Sequence, residues 1–329
     1  MKGKVVLFVF LFLALQISSS FAIDNGVYVK VIEAAPGSYA EVSARVEVAL
    51  KNAGWDILAE YNTGVPEDCE RHSRVIVFTS PAYAQSVIIH GIQSVFAVPL
   101  RIGVYDDVDG VSVVLLNPVS INRTMVNKKK FEAQSLTTLN ALSDLIVRAV
   151  ASGTVVNKQL GEIRRTGRVE AGGIGGGDFT DKIVTLYTSR DDSDANFKKI
   201  AQKVKAGILH NQDGWKLIYT LDLSSKGAMI FGVSEAKMEG SAFTIARAKG
   251  SKLYKQVVLH HNTAFPIEVV VYKEEGKVKV VTLDEMYRMQ LYFQDAGTWP
   301  FITNIRKPIK IQEDIVDMAI GGLMQQIEN

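Results

Sequence analysis

Apolar positions along the chain follow two periods, and the same order of periods occurs twice. Val29-Lys-Val-Ile-Glu33 alternates as a strand does. Ser38-Tyr-Ala-Glu41 fits a capping box, and Val42, Val46, Ala49, Leu50 and Ala53 then form one stripe at helical spacing. Gly54 suits the helix stop, and Trp55 to Tyr61 resumes as a strand. In the second half Ile183 to Thr188 is the strand and Asp191-Asp-Ser193 supplies candidate caps. Phe197, Ile200, Ala201, Val204 and Ile208 are the stripe, and Gly214-Trp215-Lys-Leu-Ile-Tyr219 answers Gly54-Trp55 with the two Trp residues 160 positions apart.

The pairing continues beyond the first strands. Arg74 to Phe78 matches Ala228 to Phe231, and Val98 to Tyr105 matches Phe265 to Tyr272. Asp109-Gly110 and Glu275-Gly276 predict hairpin turns, each followed by a second alternating strand from Val111 and Val278. The offset is 153 at the Phe pair and 167 at the Pro and Tyr pairs, so 62–73 and 232–260 are expected to be divergent loops. Leu139, Leu142, Ile146, Ala149 and Val150 give a long closing helix in repeat 1. A shorter one in repeat 2, near Gln312 to Ile327, is expected to be weakened by Gly321-Gly322. The fold class read from this pattern is α+β: two tandem β-α-β-β-β-β-α domains, each a mainly antiparallel sheet backed by helices. Their expected bounds are 23–165 and 181–329, joined by a Gly-rich linker at 166–180.

The first 22 residues read as a secretory signal. Lys2 and Lys4 form a basic end, Val5 to Leu15 is uninterrupted apolar sequence, and Ser20 and Ala22 are small residues at a cleavage site. The expectation is a periplasmic or secreted protein cut near Ala22, with no transmembrane segment in the mature chain. Of 37 Lys+Arg and 35 Asp+Glu, Lys2 and Lys4 leave with the signal, and the remaining balance is zero. That argues against nucleic acid as a partner, which needs a basic excess or stripe. Lys128-Lys-Lys130 and Arg164-Arg165 are read as solvated helix-end or loop charges.

Ile76-Val-Phe-Thr-Ser-Pro81, Ala97-Val-Pro-Leu-Arg-Ile-Gly-Val-Tyr105 and Asp109-Gly-Val-Ser-Val with Asn117-Pro118 carry a family pattern. In these residues the chain resembles the domain of unknown function 302 family, as two tandem copies. The resemblance implies a small α+β domain with a helix-backed antiparallel sheet, and a fused pair that acts as a built-in dimer. Some members of that family place a Cys in the turn occupied here by Thr79 and Ser80, and repeat 2 has Gly232 and Val233 there. Thiol chemistry at that turn is therefore not expected in either half.

No catalytic constellation is legible. The sequence lacks a Gly-x-Ser-x-Gly elbow and a His-Glu-x-x-His pair. Candidate metal ligands are Cys69, His72, His90, His260 and His261. Cys69 and His72 set a thiol and an imidazole three apart, suited to copper(I), zinc or haem iron, against the alternative of an incidental thiol in a surface loop. His260-His261 would diverge on a strand and converge only in an irregular segment. His90 lies before Pro99 much as this pair lies before Pro266, so one His from each repeat could meet at the domain junction. The expected function is a non-catalytic envelope protein that binds a small molecule or protein partner in the cleft between repeats. A metal- or haem-binding redox accessory and a structural or assembly factor are the alternatives. The cofactor is left open.

Overall fold

Local signals in the sequence mark out the first elements. The structure, a computed structural model, describes residues 25–170, 175–247 and 259–324, so the signal segment lies outside the described residues. Strand β1 (Gly26–Ala35) leads into helix α1 (Tyr39–Asn52), whose capping box is formed: the Glu41 N–H donates to Ser38 Oγ at 3.3 Å and the Ser38 N–H to Glu41 Oε2 at 2.8 Å. Val42, Val46 and Leu50 are buried on the predicted stripe. Then follow β2 (Asp56–Asn62), β3 (Ser73–Thr79), α2 (Pro81–Ile88), β4 (Leu100–Asp107), β5 (Gly110–Leu116), α3 (Pro118–Met125), α4 (Lys129–Ala149) and β6 (Thr154–Ile163). Among the described residues these strands form one six-stranded antiparallel sheet in the order β2-β3-β4-β5-β1-β6.

Between the units the segment is not free of structure. Arg168–Val169 (β7) pairs with Gly177–Asp178 (β8), and Val169 and Phe179 are buried.

The second unit repeats the connectivity with β9 (Ile183–Ser189), α5 (Asp194–His210), β10 (Lys216–Leu223), β11 (Ala228–Ser234), α6 (Ala236–Arg247), β12 (Ile267–Glu274) and β13 (Lys277–Leu283). Its sheet runs β10-β11-β12-β13-β9, again antiparallel, and α7 (Glu285–Phe293), α8 (Thr298–Thr303) and α9 (Arg306–Met324) follow. The β12–β13 turn is the predicted one. Glu274 pairs with Lys277, and Glu275 and Gly276 both have positive φ, 52° and 71°, as a two-residue type I′ turn requires.

Three expectations are corrected. The stretch 232–260 is not simply a loop, because β11 runs to Ser234 and α6 fills residues 236–247. Its start is capped by Glu235, which accepts from the N–H groups of Lys237 and Met238. Gly321-Gly322 does not interrupt the last helix, which runs unbroken to Met324. A Cβ on Gly322 would collide with the Lys203 carbonyl and one on Gly207 with Met318, so the glycines let α5 and α9 approach backbone to backbone. Arg164 is not solvated: it is 2% exposed and its guanidinium donates to the carbonyls of Gln290 and Leu291 at the end of α7.

The two units meet reciprocally. The 3-10 segment Ile92–Ala97 of the first packs on β12, the equivalent segment Leu259–Ala264 of the second packs on β4, and β2 lies beside β10. At the centre Arg101 pairs with Glu268, both buried, and these are the same position of the repeat at the offset of 167. Asn262 reaches across to Ser73 Oγ at 3.0 Å and seats on Gly103, where a Cβ would collide with its side chain. Gly103→Ala is therefore expected to cost about 1–3 kcal/mol by overpacking, read by chemical denaturation. The double variant Gly103→Ala/Asn262→Ala should recover part of it. A Gly103→Ala protein as stable as the parent would show that Asn262 does not seat there.

Candidate functional site

Leu259–Ala264 is a 3-10 segment, not a strand, and that decides the geometry of the His pair. Consecutive side chains of a tight helical turn point partly to one side, where those of a strand point apart. The two imidazole centroids lie 4.0 Å apart. Facing them is Asp295, in the short 3-10 segment Gln294–Ala296 that follows α7. His261 Nε2 is 2.9 Å from Asp295 Oδ1, and His260 Nε2 is 3.6 Å from Oδ2, too long for a hydrogen bond. His261 is buried, and the side chains of His260 and Asp295 are 13% and 22% exposed. Among the described residues this is the one group of three His, Cys, Asp or Glu side chains whose ligand atoms all lie within 4.8 Å of one another.

The surroundings come from both units. Tyr28 on β1 meets both imidazoles edge-on, at ring-centroid distances of 5.4 and 5.3 Å, and its hydroxyl donates to the Tyr292 carbonyl at 2.8 Å. Phe293 stacks on His261 at 5.0 Å. Burial pushes the His260 imidazole down to about 4, reinforced by the charge of His261. Burial alone would raise the Asp295 carboxyl, but the charge of His261 and the hydrogen bond between them outweigh it and hold Asp295 well below the usual carboxylate range. Burial and the Asp295 charge push the Tyr28 phenol well above its ordinary value. Within the cluster two buried polar atoms have no hydrogen-bond partner: His260 Nε2 and His261 Nδ1.

The other sequence candidates lie elsewhere. Cys69 is half-buried in the loop after β2, its N–H donating to the Pro66 carbonyl at 2.8 Å. His72 is exposed, stacks on Tyr39 at 4.9 Å and pairs with Asp106 at 2.8 Å. His90 packs edge-on against Phe131 at 4.9 Å. By the offset of 167, the counterparts of His260 and His261 in the first unit are Gln93 and Ser94, so the cluster belongs to one copy. Asp295 and Tyr28 were not legible as site residues, because each is an ordinary polar or aromatic position far from the pair in sequence. The face between the units is filled by Arg101, Asn262, Thr263 and Glu268, all buried. A groove of about 630 Å³ remains at the surface between Gly64–Asp68 and α6.

Fold and site together define a two-unit α+β protein with a partly buried His-His-Asp cluster where the units meet. The family model of the domain of unknown function DUF302 matches residues 31–149, within the first unit. The match leaves out β6 and the second unit, whose likeness to the first rests on its connectivity. The crystal structure of an uncharacterized conserved protein DUF302 from Bacillus stearothermophilus is similar at 19% identity and a TM-score of 0.32, over 37% of this chain and 95% of that one. No curated protein matches the chain. Among the described residues no helix is long and apolar enough to cross a membrane.

Proposed function

We propose that this chain is an exported, non-catalytic binding protein, made of two copies of one unit fused into a permanent pair, whose binding site is the cluster of His260, His261 and Asp295. The observation that carries this reading is the placement of the pair. A turn of the second unit lays both imidazoles against the first unit beneath Tyr28, where the equivalent turn of the first unit has Gln93 and Ser94. Repeating the fold does not require those side chains. Burying them with His260 Nε2 unpaired costs free energy that a ligand would offset. The three side chains offer donors to a ligand, and His261 hydrogen-bonds to a carboxylate rather than to a nucleophilic hydroxyl or thiol. Export is supported by the basic end, the apolar run and the small residues before Ile23.

Native mass spectrometry of the protein purified from its own host tests both parts. The expected mature chain begins at Ile23 and carries one ligand, metal or organic, that the His260→Asn/His261→Asn variant lacks. An uncut N-terminus would overturn export. A bare chain for both proteins would overturn the binding site.

A further inference from the structure

We infer that His260, His261 and Asp295 hold a single divalent first-row transition metal of the zinc type. The inference rests on the reading of this cluster as the binding site and names its ligand. A four-coordinate zinc-type ion with bonds of about 2.0–2.1 Å sets neighbouring ligand atoms roughly 3.3 Å apart. The two imidazole Nε2 atoms stand 2.9 and 3.6 Å from the Asp295 oxygens, on either side of that spacing. With all the ligand atoms within 4.8 Å of one another, side-chain shifts alone would bring them to one ion. It would replace one hydrogen bond, between His261 and Asp295, and would give His260 Nε2 a partner that it lacks.

The donor set narrows the choice of ion. Two imidazoles with one carboxylate suit zinc, cobalt, nickel or copper(II), whereas calcium and magnesium take oxygen ligands. Copper(I) favours thiolates, and Cys69 lies in the loop after β2, outside the cluster. Haem does not fit. Tyr28 and Phe293 press on His261 at 5.3 and 5.0 Å, and a porphyrin needs an open face over the ligating nitrogen. The partly exposed side chains of His260 and Asp295 mark the side from which an ion and a fourth, exchangeable ligand would enter.

The test uses the full mature chain, stripped with chelator. Zn²⁺ is titrated calorimetrically, and Co²⁺ by visible absorption. One equivalent is expected, with Co²⁺ giving the intense ligand-field bands of a four-coordinate site. His261→Asn and Asp295→Asn should each weaken Zn²⁺ binding by more than about a hundredfold, the loss that changes in outer-shell partners alone can reach. His72→Asn should leave it unchanged. His260→Asn alters a partly exposed side chain, and circular dichroism confirms which variants fold. No saturable uptake, or uptake by the His260→Asn/His261→Asn variant equal to the parent's, overturns the metal assignment. An organic ligand lost from that variant, with no metal bound, overturns the metal and leaves the binding site standing. No ligand of either kind overturns both.

Discussion

Arg101→Glu is expected to lower the free energy of unfolding by about 3–5 kcal/mol, the usual cost of leaving one member of a buried ion pair uncompensated. Arg101 is 1% and Glu268 7% exposed. The guanidinium also donates to the Thr263 carbonyl at 3.2 Å, and Tyr219 donates to Glu268 at 3.3 Å. Reversing Arg101 would bury two carboxylates against each other. Glu268→Arg should cost a similar amount by burying two guanidinium groups. The double reversal should recover part of the loss, and less than all of it, because a carboxylate in place of the Arg101 guanidinium would face the Thr263 carbonyl. Urea denaturation of the four proteins at one pH measures this. Single reversals costing under about 1 kcal/mol would mean that the pair is solvated and that the units do not pack as described. The pair also shows what fusion permits. In a symmetric dimer a residue on the two-fold axis meets its own copy, so Arg would meet Arg. Two linked units of different sequence can set Arg against Glu.

The second large effect is on pH. Glu239 is 2% exposed, and burial raises its carboxyl to about 7, against the lowering effects of Ser234, the Gly64 N–H and Tyr61. Its oxygens accept from the Tyr61 hydroxyl and the Gly64 N–H of the first unit and from Ser234 of its own. A carboxyl raised on folding binds more protons in the native state than in the unfolded state, so stability falls as pH rises. The loss begins near the unfolded value of 4.5 and is complete above about 7. It amounts to about 3 kcal/mol. Glu285 is also raised to about 7 and acts in the same direction. His260, lowered to about 4, acts in the opposite direction, its contribution being lost as pH falls below 6.5. Absolute slopes therefore mix three groups, and the difference between the parent and Glu239→Gln isolates one. Relative to the parent, Glu239→Gln should gain stability steadily from pH 4.5 to pH 7. Parallel curves would show that Glu239 does not change its proton occupancy on folding.

The elements that could be read in advance share one property: their cause is local. The Ser38–Glu41 box, the stripes of α1 and α5, and the Glu275-Gly276 turn depend on neighbours within a few residues, and each stands where its spacing placed it. The antiparallel α+β class followed from their order. β6 escaped notice because Thr154–Ile163 is poorly alternating and forms a strand by pairing with β1. Helix α2 follows the Thr79-Ser80 turn and α6 lies in the stretch expected to be a loop, and short apolar runs do not distinguish helix from loop.

The likeness between the two halves, the class of fold and two residues of the His-His-Asp cluster could be read from the chain alone, because periodicity and spacing report neighbours along that chain. Three-dimensional packing was needed to put His260 and His261 in a helical turn, Asp295 opposite them and Tyr28 over them. Packing also buries Arg164 against the end of α7 and makes Gly322 a helix contact. A carboxylate 34 residues from His261 and a phenol in the other unit have no pattern that marks them, since their meeting depends on how two sheets pack.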